Sequence, residues 1–99
     1  MKARLIYRNK LVTENRITEL VIWKLPSKTP NRLHGIKYRL YHGDKKGRCI
    51  VRYDNESGKG DHKHIGNKET IYHFINVEQL MKDFIFDVTR LTAKEEKYE

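Results

Sequence analysis

"GIKYRLYHGDKKGRCIVRY", residues 35–53, decides the fold because it contains two strand-like runs joined by a polar turn. Gly43 and Gly47 bound the turn, and Arg48–Tyr53 follows it with residues that favour strands. An antiparallel hairpin is therefore predicted. The side chains of its first strand alternate between two sides, and the two sets are Ile36, Tyr38, Leu40 and His42 against Lys37, Arg39 and Tyr41.

Three further runs outside this hairpin also favour strands. Lys2–Arg8 alternates in the same way, and Arg16–Leu25 is apolar on both sides in its second half, which is typical of a central strand. Trp23 in the second run is predicted to lie in the core. A fifth short strand is predicted at Thr70–Phe74.

A single helix is predicted after the last strand. Asn76 can cap it, Gln79 stands three residues later as in a capping box, and Ile75 can pack on Leu80. The predicted fold is α+β: a small antiparallel β-meander of about five strands with one C-terminal helix packed on a face. The helix would use an apolar stripe formed by Val77, Leu80, Met81, Phe84, Val88 and Leu91.

Length and charge limit the possible functions. The 99 residues predict one domain over residues 1–93, followed by a solvated charged tail over residues 94–99. The net charge of +8 favours a polyanion such as nucleic acid, an acidic protein partner or an anionic membrane, and charge alone does not choose among them. No apolar run approaches the roughly 20 residues that span a bilayer, and the first residues do not resemble a signal peptide. We therefore expect a cytoplasmic protein without membrane contact.

Four segments of the chain resemble one known family. They are "VIWKLP", "HGIKYRLYHG", "VRYDNESGKGDHKHIG" and "VEQLMKDFIFDV", and the resemblance extends from Met1 to about Arg90. The chain is similar to the TumE family of small bacterial and archaeal toxins. This resemblance implies the toxin half of a type II toxin–antitoxin pair, whose partner is a cognate DNA-binding antitoxin. Toxins of this size usually act on RNA or on translation.

Residues 52–64 contain the groups that RNA cleavage without a metal requires. A base must take the 2′-hydroxyl proton, an acid must protonate the leaving oxygen, and cations must stabilise the phosphorane. Histidine suits both proton transfers, and lysine and arginine bind phosphate. His62 and His64 are predicted to act as base and acid, Lys59 and Arg52 to bind the phosphate, and Asp54 to orient one imidazole.

The spacing of the histidines supports this prediction. If residues 61–65 are extended, His62 and His64 point to one face about 7 Å apart, and Asp61 points to the other. Arginines and tyrosines interleave along the preceding strands, which suits stacking on single-stranded RNA. The predicted substrate-binding residues are Arg52, Tyr53, Lys63, Arg39 and Tyr41.

Other interpretations of the same residues remain open. The loop before His62 could be turn chemistry alone, or His-x-His with Asp54 or Asp61 could bind zinc or a nuclease metal. The basic and aromatic residues could also form a non-catalytic RNA- or ribosome-binding module that blocks translation by occupancy. A phosphoryl-modifying enzyme lacks support because no nucleotide-binding loop is present. No cofactor and no metal are predicted. His34 and His42 are predicted to be structural or solvated, with a place at the border of the same cleft left open for His42, and His73 is predicted to pack in the last strand.

Overall fold

The computed structural model describes residues 2–30, 32–56 and 60–97, with side chains described as far as residue 93. Within these residues the chain forms one antiparallel sheet whose strand order follows the sequence, and a C-terminal helix. The predicted α+β meander with one helix is confirmed. The elements are β1 Arg4–Val12, β2 Arg16–Lys24, β3 Ile36–Asp44, β4 Cys49–Asp54, β5 His62–Ile65, β6 Lys68–Ile71 and α1 Val77–Lys97.

The sheet has six described strands rather than about five because a tight hairpin joins β5 to β6. Ile65 pairs with Lys68, so only two residues form the turn. Gly66 takes a positive φ of 61° there, as such short hairpins require. The last strand therefore begins two residues before the predicted one and ends at Ile71. His73 lies beyond it and is exposed, so its predicted packing role in a strand is wrong.

One face of the sheet packs against α1. Strand pairing places Leu40 opposite both Leu20 and Tyr53, and these side chains lie on the same face. Leu80 and Phe84 of α1 complete the core, and Phe84 is only 1% exposed. Its ring contacts the ring of Tyr53 edge to face at 5.6 Å between centroids. The predicted helix stripe is thus confirmed at its centre.

The first turn of α1 is capped as predicted, with one difference. The Asn76 side-chain oxygen accepts a hydrogen bond from the Gln79 backbone N–H at 2.7 Å. The Gln79 side chain donates to Asp83 at 2.7 Å instead of completing a capping box. Ile75 is 71% exposed, so the predicted packing on Leu80 does not bury the Ile75 side chain. The helix continues to Lys97, and solvation of the charged tail stays a prediction.

The other face of the sheet is turned away from α1, and we call it the outer face. Side chains alternate along a strand, so the residues next to buried Ile22 and Tyr53 belong to the outer face. Trp23 is one of them: it is half-buried and lies outside the core, which corrects its predicted core position. No helix among the described residues is long and apolar enough to cross a membrane.

Candidate active site

The outer face brings together four of the predicted site residues from two neighbouring strands. In β4 and β5, Arg52 pairs with His64 and Asp54 pairs with His62. All four side chains point to the same face because their positions alternate with Tyr53 and Lys63. The predicted common face of the two histidines is therefore present, and it results from the register of β4 against β5.

His64 is held as a hydrogen-bond acceptor. The Arg52 guanidinium donates from Nη2 to His64 Nε2 over 2.9 Å. A guanidinium has no acceptor, so Nε2 of His64 carries a lone pair and the proton of the neutral ring is on Nδ1. Burial lowers the pKa of His64 from its usual value, and the charge of Arg52 lowers it further. These contacts and the lowered pKa favour the neutral ring of His64.

His62 has the opposite arrangement. Its Nδ1 lies 3.0 Å from the Gly60 carbonyl oxygen, and its Nε2 lies 3.0 Å from Asp54 Oδ1. Both neighbours are acceptors, so only the doubly protonated ring can donate towards each of them. Asp54 also places Oδ2 2.9 Å from Arg52 Nε. One carboxylate thus connects the ring of His62 to the cation that holds His64.

The two rings lie closer than the spacing along a strand predicts. Their centroids are 5.2 Å apart in an edge-to-face arrangement, against the expected separation of about 7 Å between side chains two residues apart. His62 is also buried, with 6% of its surface exposed. His64 is more accessible, because 20% of its side-chain surface is exposed.

Glu69 on β6 is a site residue that the sequence analysis missed. Its Oε1 lies 3.7 Å from His62 Nε2 and 3.8 Å from His64 Nε2. It pairs with His64 across the β5–β6 hairpin and therefore shares the outer face. The turn at Gly66 and Asn67 was the available signal, because a hairpin there places Glu69 opposite His64.

Among the described residues, one group could hold a metal ion. His62, His64 and Glu69 each offer a ligand atom, and these atoms lie within 4.8 Å of one another. Nitrogen and carboxylate ligands suit zinc. The Arg52 guanidinium occupies Nε2 of His64, however, and would have to move away before that nitrogen could bind a cation. The predicted third ligands, Asp54 and Asp61, do not belong to this group.

Asp61 instead fixes the backbone that leads into His62. It accepts hydrogen bonds from His34 Nε2 at 2.8 Å and from the Tyr38 hydroxyl at 3.0 Å. His34 Nδ1 accepts from the Ile36 backbone N–H at 3.0 Å, so the predicted structural role of His34 is consistent with its contacts. This network holds the residue that follows Gly60, whose carbonyl oxygen contacts His62.

Arg39 and Tyr41 lie on the outer face one strand from the site. Arg39 pairs with Asp54, and Tyr41 pairs with Arg52. The Arg39 guanidinium carbon is 5.1 Å from the Tyr41 ring centroid, which is cation–π geometry. Gly43 gives the ring room: a Cβ there would collide with the Tyr41 hydroxyl and lie 2.6 Å from the Arg48 carbonyl oxygen.

Tyr53 and Lys63 lie on the opposite face, beneath α1. Tyr53 is 1% exposed and its hydroxyl donates to Asp87, so its ring has no free face for a base. Lys63 Nζ lies 3.4 Å from the same carboxylate. Burial opposes ionisation of Asp87, but the hydrogen bonds from Tyr53 and Arg90 and the charge of Lys63 keep its pKa below the usual value. Predicted Lys59 lies outside the described residues.

Comparison with known proteins identifies the family. The family model described as Toxin TumE matches residues 2–92, which is nearly the whole chain. No curated protein and no solved structure matches the chain. The matched range includes the six described strands, the two site histidines and most of α1. The chain therefore belongs to the TumE family of toxins.

Proposed function

We propose that this toxin is a metal-independent endoribonuclease whose base is His64 and whose acid is His62. The observation that carries the proposal is the contrast between the two rings. His64 Nε2 accepts from a permanent cation, whereas both nitrogens of His62 face oxygen acceptors. General acid–base cleavage of RNA requires a proton acceptor on one side of the reacting phosphate and a proton donor on the other.

The reaction uses no group outside the chain and the RNA. His64 Nε2 takes the proton of the ribose 2′-hydroxyl as the 2′-oxygen bonds to phosphorus. The bond from phosphorus to the 5′-oxygen breaks, and His62 gives that oxygen its Nδ1 proton, which is released from the Gly60 carbonyl oxygen. The products are a 2′,3′-cyclic phosphate and a free 5′-hydroxyl, and the two histidines end in exchanged protonation states.

Arg52 has two roles in this scheme. Before the reaction it holds His64 as an acceptor, and on substrate binding its guanidinium moves to the phosphate and releases His64 Nε2. Asp54 orients His62 through the 3.0 Å contact, and it contacts Arg52 as well. Lys59, three positions before His62 in the sequence, supplies a further cation. Arg39 and Tyr41 bind the RNA strand next to the cut, while Tyr53 and Lys63 support the helix.

The same surface suits the proposed inhibitor. A cognate antitoxin with an acidic surface would cover the basic outer face and block access to His64. The proposal places both proteins in the cytoplasm, where RNA is the abundant polyanion.

A second candidate function is a non-catalytic module that binds RNA or the ribosome. The burial of His62 favours it, because a ring with both nitrogens already in contact with acceptors can be structural. In that case Arg39, Tyr41 and Arg52 provide affinity, and toxicity results from occupancy of the target.

End-group analysis of labelled RNA separates the two functions. The proposal expects new 2′,3′-cyclic phosphate ends from the purified protein, and loss of these ends with His64→Ala. His73→Gln is the matched control, because His73 is exposed and lies outside the site. RNA binding without any new ends, from protein that is toxic in cells, would assign the occupancy mechanism.

A further inference from the structure

The outer face extends well beyond the site residues on β4, β5 and β6. Two rows of residues cross the sheet from β1 to β5, each defined by strand pairing. Four strand spacings separate the ends of each row, which is about 19 Å. One row is Arg8, Val21, Arg39, Asp54 and His62, and the other is Lys10, Glu19, Tyr41, Arg52 and His64.

Trp23 lies beside these rows with cations on both sides. Its ring centroid is 6.0 Å from the Arg8 guanidinium carbon, and its strand partner on β3 is Lys37. Both neighbours share the outer face because they pair in register with outer-face positions of β2. A half-buried tryptophan outside the core, between two cations, offers an aromatic surface rather than core packing.

Charge on this part of the outer face is mostly positive. Arg8, Lys10, Lys37 and Arg39 lie on β1 and β3, and the acidic side chain among them, Glu19, lies 3.6 Å from Arg39. Cations interleaved with aromatic rings bind single-stranded nucleic acid, because the cations contact phosphates while the rings stack on unpaired bases. A duplex hides its base faces and cannot use the rings.

We propose that an unpaired RNA strand crosses the outer face from the histidine site to β1, stacking bases on Tyr41 and Trp23. Arg8, Lys10 and Lys37 bind its phosphates. This inference rests on the proposed function, since it gives the substrate of that site as single-stranded RNA bound on one side of the cut. It also extends that function, because Trp23, Lys37 and the β1 cations lie outside the candidate active site.

Tryptophan fluorescence tests the inference directly, because Trp23 is the only tryptophan in the chain. The titration uses the His64→Ala protein, so that the RNA stays intact. A single-stranded RNA of ~8 nucleotides should quench Trp23 to saturation, and the same sequence as a duplex should not. Binding measured by RNA anisotropy without any change in Trp23 emission would overturn the inference.

Matched substitutions give the second arm. Lys37→Gln and Trp23→Leu should each weaken binding of this RNA on the order of tenfold. Lys82→Gln removes the same charge from the exposed side of α1 and should leave the affinity unchanged. Thermal melting of each variant verifies its fold. Equal affinities for Lys37→Gln and Lys82→Gln would contradict the proposed path.

Failure of the RNA path and failure of the proposed endoribonuclease activity give different results. Quenching of Trp23 by single-stranded RNA, with no cleavage of any RNA by the unmodified protein, would support the RNA path and contradict the proposed endoribonuclease activity. RNA cleavage without any change in Trp23 emission would support the endoribonuclease and contradict the proposed RNA path. Quenching by a polyglutamate peptide but not by RNA would assign this surface to an acidic protein and overturn the RNA path.

Discussion

Arg52 Nη2 lies 2.9 Å from His64 Nε2, and this contact gives the two site histidines different chemistry. A guanidinium stays charged and can only donate, so His64 presents a lone pair. His62, two residues earlier, faces the acceptors Gly60 and Asp54 instead. The sequence predicts that the two histidines act together, and these contacts supply the direction of proton transfer that we propose.

Arg52→Gln should move the acidic limb of the pH–rate profile to higher pH. Burial and the Arg52 charge both lower the pKa of His64, so removing the charge raises that pKa and keeps the base protonated up to a higher pH. The overall rate should fall as well, because phosphate binding is weakened. The measurement is kcat/KM against pH, with Arg48→Gln as the control. An unshifted acidic limb would contradict His64 as the base.

Phe84→Ala should lower the free energy of unfolding by about 3–5 kcal/mol, because it removes a fully buried ring from the contact between α1 and the sheet. Phe86→Ala is the matched control: Phe86 is 66% exposed, so its loss should change stability by less than about 0.5 kcal/mol. Chemical denaturation of both variants measures the difference. Equal stabilities would mean that the helix does not pack on the sheet in solution.

His62→Ala should destabilise the fold more than His64→Ala. His62 is buried, and its loss leaves Asp54 and the Gly60 carbonyl without their ring contacts. We expect about 1–3 kcal/mol for His62→Ala and less than about 1 kcal/mol for His64→Ala. Urea melts at neutral pH provide the test. A larger cost for His64→Ala would show that the burial of the two rings is assigned the wrong way round.

Chelation should leave RNA cleavage unchanged, whereas excess zinc should inhibit it. His62, His64 and Glu69 can together hold a metal ion, and a metal there would engage both histidines. Glu69→Gln should weaken the inhibition by removing a ligand. Cleavage rates with chelator and with added zinc provide the test. Loss of activity with chelator, restored by zinc, would make this group a metal centre instead.

Local sequence patterns predict most of the fold, but they do not predict which residues belong to the site. Alternation along β3 and β4 separates the two faces, and it already places Tyr53 on the side opposite Arg52. The same alternation separates Tyr53 from the predicted RNA-binding residues on the outer face. Trp23 was harder to place, because β2 is apolar on both sides and its sequence alone does not indicate which side α1 covers.

Contacts across long stretches of sequence account for the rest. The interaction of Asp61 with His34 joins residues 27 positions apart, and no local pattern predicts it. Glu69 was missed because the predicted last strand began at Thr70, one residue too late to include it. A two-residue hairpin at Gly66 reverses the chain and brings Glu69 opposite His64.

The most direct test of the account is a double-mutant cycle on RNA cleavage with His62→Ala, His64→Ala and the double variant. Each single variant should lose a factor on the order of 10²–10⁴ in rate, because each removes one of two proton transfers in a single step. The double variant should lose much less than the product of the two factors, since residues of one mechanism are not additive. Independent, multiplying losses, or single variants that cleave as fast as the unmodified protein, would contradict the claim that these histidines act as base and acid on one phosphate.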